Sequence, residues 1–275
     1  MKLDIGILFL YWWQMKRKDR RENYGDLLSK FLAEKISGKS VYTVKHPSER
    51  LFKHVFKHYL SIGSIITSAN KNSVVWGSGI IKANENVRKA TFLAVRGPKT
   101  RERLLHLGYN VPEVYGDPAI LLPKFLMLKV DKKHDLGIIP HYVDYPLVKE
   151  AFKNNPNVKV IDFLTHSIEK TTEEILECRQ IISSSLHGLI VSQSYGIPAL
   201  WVKFSAKLSG DNIKFYDYFE SVGVNCQEEY ALNAEALSEE KLVSLLKSTP
   251  NNLLPQSQML ALRQEQLLKS CPFKP

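Results

Sequence analysis

Cysteine is scarce in this chain. Three occur among 275 residues, at positions 178, 226 and 271. Their odd number and the absence of metal-ligand spacing exclude a disulfide framework and a structural zinc site, and fit reduced thiols in a cytoplasmic protein. Long apolar runs are missing as well. The stretch at residues 5–13 is far shorter than the roughly 20 residues a membrane span needs. Polar residues 14–18, rather than a small-residue cleavage site, follow it, so it is expected to be a buried strand. Internal repeats, low-complexity tracts and nucleic-acid-binding motifs are absent, which argues against a nucleic-acid partner. Gly77-Ser78-Gly79 lacks the third glycine and acidic partner of a dinucleotide fingerprint, which excludes a nicotinamide site. Acidic residues are outnumbered, 28 against 38 basic, for a net charge of +10 that favours acidic partners.

What is present is the alternation of an α/β protein. Hydrophobic residues make up 44% and charged residues 24%, as in an ordinary globular chain with ample core. Strands are expected at residues 41–44, 61–66, 74–81, 92–96, 136–139, 158–162, 179–182 and 197–202. Helices are expected after residue 26, over 100–107, over 172–178, and in the tail at 238–248 and 254–268. The lysine-rich stretch near 124–135 reads as a linker. It separates an N-terminal Rossmann-like domain, 1–128, from a second at 134–250, with a final helix in 251–275 crossing back.

The stretch from Ser183 to Leu200 carries the chemistry. Ser183, Ser184 and Ser185 stand at the carboxyl end of a strand and the amino end of a helix, where unpaired N–H groups and the helix dipole welcome an anion. His187 falls in the first helical turn, and Gly188 permits close backbone approach. Open α/β sheets bind ligands at this edge. Four other turns occupy comparable places. Asn23-Tyr24-Gly25-Asp26 links the first strand to the first helix. Arg96 closes an apolar strand and could grip a carboxylate or phosphate in a bidentate manner. Asp117 follows a short strand, and His141 lies on a loop beyond the strand 136–139.

Ser-Ser-Leu-His-Gly at 184–188, followed by Tyr-Gly-Ile-Pro-Ala at 195–199, resembles the signature of the polysaccharide pyruvyltransferase family. Asn23-x-Gly25-Asp26, the glycine loop at Gly77, Arg96, Gly116-Asp117-Pro118 and the Gly-Asp…Lys214-Phe…Asp-Tyr segment resemble further family elements in the same order. The resemblance implies a GT-B-like fold of two Rossmann-like domains around a cleft. It implies transfer of pyruvate from phosphoenolpyruvate onto two hydroxyls of one sugar, as a cyclic ketal in a bacterial exopolysaccharide or capsule unit. Phosphoenolpyruvate would be a co-substrate, with no further cofactor and no metal. The acceptor would be a glycan, lipid-linked by family practice, and the basic chain could touch the anionic inner face of a membrane peripherally.

The implied roles are as follows. His187 is the general acid and Asp26 the base. Arg96, Ser183, Ser184, Ser185, Gly188 and His141 hold the donor. Asn23, Tyr24, Gly77, Asp117 and Lys214 hold the acceptor. Many members carry arginine where this chain has Ser185, so its part must fall to Arg96, to serine hydroxyls and amides, or to Lys203 or Lys207. Two other readings stay open: a GT-B glycosyltransferase using a nucleotide sugar, and a non-enzymatic carbohydrate-binding or scaffold protein.

Overall fold

The computed structural model describes residues 6–15, 17–46, 57–207, 210–225, 230–232, 237–249 and 253–273. Expectations placed on Ile5, Ser209, Cys226 and Pro250 lie outside them. The protein is α/β, built on two parallel five-stranded sheets. The first contains β1 (Ile7–Tyr11), β3 (Ser40–Thr43), β4 (His58–Leu60), β5 (Ser73–Trp76) and β6 (Thr91–Ala94), in the order β3-β1-β4-β5-β6. The second contains β7 (His134–Ile139), β8 (Val158–Val160), β10 (Cys178–Ser183), β11 (Ala199–Lys203) and β12 (Tyr230–Ala231), in the order β12-β11-β10-β7-β8. Central strands such as β5, buried at all four positions, read as continuous apolar runs because helices cover both faces.

A third, two-stranded antiparallel sheet stitches the halves together. Here β2 (Glu22–Asn23) pairs with β9 (Leu164–Thr165). Helix α1 (Tyr24–Ser37) starts there, capped by the Asn23 side chain, which accepts from Gly25 N, and ends at the left-handed Gly38. The remaining helices used below are α2 (Pro98–His106), α3 (Leu122–Phe125), α4 (Tyr145–Ala151), α5 (Ile168–Leu176), α6 (Leu186–Ser194), α7 (Ile213–Ser221), α8 (Glu239–Ser248) and α9 (Ser257–Ser270). Helix α9 crosses onto the first sheet. Trp76 Nε1 donates to the Leu267 carbonyl at 3.1 Å, and the Phe273 ring meets the Trp76 ring edge-on.

Two elements differ from the sequence expectation. The strand sought at 61–66 is His58–Leu60, and the chain leaves the sheet at Ser61. Gly63 then adopts φ +102° and Ile66–Ser68 forms a 3₁₀ turn. Ile62, Ile65 and Ile66 are buried under that loop, so their apolarity marks packing rather than a strand. The helix sought at 172–178 begins at the cap Ser167, whose side chain accepts from Lys170 N. Thr172 is interior and turns its hydroxyl back to the Ile168 carbonyl, while Cys178 opens β10. Cys178 is a free thiol. Burial pushes the Cys178 thiol up to about 12, which keeps it inert.

Candidate active site

The carboxyl ends of both sheets converge on one cavity of about 380 Å³. Its walls include Asp26 from α1, Ser64 from the loop after β4, His141 after β7, Ser185 and His187 at the start of α6, and Lys214 in α7. Elements far apart in sequence therefore deliver their polar groups to one place. Asn23 also lines the cavity, although its side-chain oxygen is occupied as the α1 cap.

His187 is the most constrained of these groups. Its side chain is 12% exposed and its ring is wedged between α1 and the turn at Pro118–Leu121. On one side lies Gly25, where an added Cβ would fall 2.0 Å from Nδ1. On the other side Nε2 stands 3.5 Å from Asp117 Oδ2. Both of these atoms are buried, and neither has a hydrogen-bond partner among the described residues. Burying a carboxylate oxygen and an imidazole nitrogen apart would be costly, so each answers the other. Asp117 Oδ1 meanwhile caps Ala119 N, which fixes the carboxylate in its plane. Asp117 was expected to hold the acceptor. It is fully buried beside the His187 ring and is not among the cavity-lining residues.

The cavity also shifts its ionisable groups. Burial pushes the Asp26 carboxyl up to about 7, although the His187 and Lys214 charges oppose the shift. Burial, and then the Arg96 charge, bring the Lys214 ammonium down to about 8 despite Asp26. Burial and the Lys214 charge bring His141 down to about 4, so it is neutral at pH 7. The His141 ring lies against Tyr142, tilted by 36° with centroids 4.3 Å apart.

The triple-serine turn divides its labour. Ser183 Oγ lies 2.9 Å from both the Ile139 and Ser185 carbonyls and accepts from Ser185 N. Ser184 Oγ accepts from His141 N at 2.8 Å. Both serines are about 1% exposed or less and hold the turn rather than a ligand, which corrects their expected donor role. Ser185 reaches the cavity, as do the first residues of α6. Gly188 is also corrected. A Cβ there would strike Ser183 Oγ at 2.3 Å, so the glycine serves helix-on-strand packing.

Three further expectations move away from the cavity. Arg96 is completely buried: Nε bonds Asp217 at 3.0 Å, Nη1 bonds Ser64 Oγ at 2.7 Å and Nη2 bonds the Ile80 carbonyl at 2.6 Å. Asp217 also accepts from Thr100 N and Oγ1. Arg96 therefore locks α7 to the first half of the chain and supports Ser64 from behind, and its guanidinium does not face the cavity. Tyr24 is fully buried against Phe163, with its hydroxyl 2.7 Å from Thr172 Oγ1. Gly77 adopts φ +92° and lets Pro118 close in where a Cβ would clash at 2.2 Å. Gly79 likewise makes room for the Arg96 guanidinium. The glycine loop is thus packed around structural groups. Neither Lys203 nor Lys207 is among the cavity-lining residues, whereas Lys214 is.

Comparison with known sequences gives the family. The family described as Polysaccharide pyruvyl transferase matches residues 23–205. The chain belongs to that family. The match begins at the Asn23 cap and includes Asp26, Asp117, His141 and His187. A relative, the uncharacterized protein L143 of Acanthamoeba polyphaga mimivirus, is 37% identical over 214 residues, covering 74% of this chain and 71% of that protein. As a polysaccharide pyruvyl transferase family member the chain is a transferase whose chemistry is pyruvyl transfer onto polysaccharide. Among the described residues no helix is long and apolar enough to cross a membrane, and no three His, Cys, Asp or Glu side chains stand close enough to hold a metal ion.

Sequence reasoning missed some of the cavity wall. Trp13, Met15, Gly63, Ser64 and Tyr142 all line it. The signal was positional: Trp13 and Met15 follow the end of β1, as His141 follows β7.

Proposed function

We propose that the protein moves pyruvate from phosphoenolpyruvate onto two hydroxyls of one sugar in a glycan, releasing phosphate and leaving a cyclic ketal. The observation that carries this reading is His187, backed by Asp117 and sharing one cavity with Asp26, Lys214 and the amino end of α6. The donor is a carboxylate and phosphate, and Lys214 with the α6 amides supplies a cation and anion-binding dipoles for it.

His187 gives a proton to C3 of the enol, and C2 becomes electrophilic. The first sugar hydroxyl bonds to C2 as Asp26 takes its proton. The C2–O bond to phosphate then breaks, the phosphate leaving with the electron pair. The second hydroxyl closes on C2 and releases its proton. Of the two hydroxyl protons, one restores His187 and the other leaves with phosphate. Asp26, held near 7, is matched to a base that must also surrender its proton. Asp117 keeps the His187 ring in one orientation throughout, as a buried carboxylate does for a catalytic imidazole.

The two parallel sheets, with their carboxyl edges on one cavity and α9 returning to the first sheet, support a GT-B-like arrangement. The net charge of +10 supports peripheral contact with anionic lipid, where a lipid-linked acceptor of an exopolysaccharide or capsule type would reside. The direct test is phosphate release from phosphoenolpyruvate in the presence of a glycan panel, with mass analysis of the product. Stabilisation by nucleotide sugars and not by phosphoenolpyruvate would overturn the reading.

A further inference from the structure

We propose that the catalytic cavity continues into a groove that binds the oligosaccharide flanking the modified sugar, with Trp13 as its stacking platform. This rests on the pyruvyl-transfer reading. A second concavity, of about 720 Å³, shares Trp13, Met15 and Tyr142 with the catalytic cavity, so the two adjoin along these side chains. Beyond them it runs along Gln14, Lys45 and His46. These residues follow the carboxyl ends of the paired strands β1 and β3, on the same edge as the reacting groups.

The chemistry of the wall selects the occupant. Trp13 is 54% exposed, whereas Trp12, Trp76 and Trp201 are at most 4% exposed. An exposed indole beside a reaction centre offers a flat apolar face, and a pyranose ring presents such a face with hydroxyls around its rim. Gln14, whose Oε1 accepts from Thr43 Oγ1, brings its amide N–H groups to that rim. Among the described residues that line it none is a carboxylate, which suits a neutral or anionic glycan. The donor does not need this groove, because Lys214 and the α6 amides lie in the inner cavity. The groove is the continuation available to the rest of the glycan chain.

The test uses Trp13 itself. Because the other three tryptophans are buried, acrylamide quenching of the wild-type protein reads Trp13. The probes are tetrasaccharides of glucose, of alternating galactose and N-acetylglucosamine, and of glucuronate, with the matching monosaccharides and phosphoenolpyruvate alone. At least one tetrasaccharide should lower the quenching constant about two-fold or more, and its monosaccharide and phosphoenolpyruvate less. In the transfer assay, Trp13→Ala should raise KM for the tetrasaccharide roughly three- to ten-fold more than KM for the monosaccharide. The proposal is overturned if no tetrasaccharide protects Trp13, if the two KM values move together, or if protection follows protein concentration without sugar, as a second copy would produce. Protection without phosphoenolpyruvate-dependent transfer to any sugar would sink the pyruvyl-transfer reading and leave a glycan groove standing.

Discussion

The His187 ring lies directly against Gly25: a Cβ built on that glycine would sit 2.0 Å from Nδ1 and 2.5 Å from Cγ. Two of the short motifs, 162 positions apart, are thus packed face to face. Gly25 lies in the first turn of α1, where alanine would ordinarily improve the helix by about 0.5–1 kcal/mol. Here the methyl must displace the imidazole. Gly25→Ala should lower turnover by roughly 10²-fold or more, since a shift of about 1 Å in a reacting group has that effect. Unaltered turnover, with the folded state verified by circular dichroism, would show that the ring is not held where the chemistry occurs.

His187 and Asp117 separate chemistry from binding. His187→Ala should lower turnover roughly 10²–10⁴-fold, the usual worth of a general acid, with phosphoenolpyruvate affinity within several-fold of wild type. Asp117→Asn keeps the cap on Ala119 N and removes the charge facing Nε2. It should lower kcat by about 10²-fold or more with little change in donor affinity. Calorimetry and phosphate release on the same preparations give both quantities. Equal losses of binding and turnover in His187→Ala would make the histidine a donor ligand, with His141 the next candidate for the acid.

The pH profile follows from Asp26 and Lys214. Asp26 acts as a base above about 7, and Lys214 holds an anion below about 8. The rate should therefore peak between those values, falling on the acid side as Asp26 gains a proton and on the alkaline side as Lys214 loses one. Lys214→Arg should remove the part of the alkaline fall that Lys214 sets, because arginine stays charged. An alkaline limb unmoved in that variant would assign it to another group.

Stability should move the opposite way at Asp26. Its folded-state value lies above the usual carboxylate range, so between roughly pH 4 and 7 the folded protein holds a proton that the unfolded chain releases. Stability from this group is full below that window and is lost as pH rises through it. Asp26→Asn should thus abolish transfer yet stabilise the fold at pH 8 by roughly 2 kcal/mol, with little gain at pH 4. Urea unfolding at the two pH values measures the difference, and equal effects at both would contradict a carboxyl whose value is raised in the folded state.

Arg96 should show itself in unfolding more than in donor affinity. Arg96→Ala leaves Asp217 as a buried, uncompensated charge, at a cost of about 3–5 kcal/mol. Arg96→Lys keeps the charge but cannot reach Asp217, Ser64 and Ile80 together, so it should also destabilise. A stable Arg96→Lys protein with much weakened phosphoenolpyruvate binding would return the arginine to the donor site.

Local signals sufficed for much of this protein. The strand–turn–helix punctuation around Ser183–Ser185, the alternation of apolar runs with amphipathic helices, and the placing of Asp26, His141 and His187 at strand ends depend on neighbours in sequence, and so were legible there. The motif order was enough to point to the family. What tertiary structure alone decided is which side of each motif faces the cavity. Arg96 closes an apolar strand, as a ligand-gripping arginine would, yet Asp217, 121 positions later, claims it. Asp117 looked like a turn residue or an acceptor contact until α6 brought His187 onto its free oxygen. Gly77 and Gly188 gave the same sequence signal as phosphate-approaching glycines, because a missing Cβ makes room equally for a ligand or for Pro118 and Ser183. Trp13 carried no motif at all, and its place beside the cavity follows from where the two sheets meet. Helical and strand periods report which residues are buried, while only the packing of distant elements determines what they are buried against.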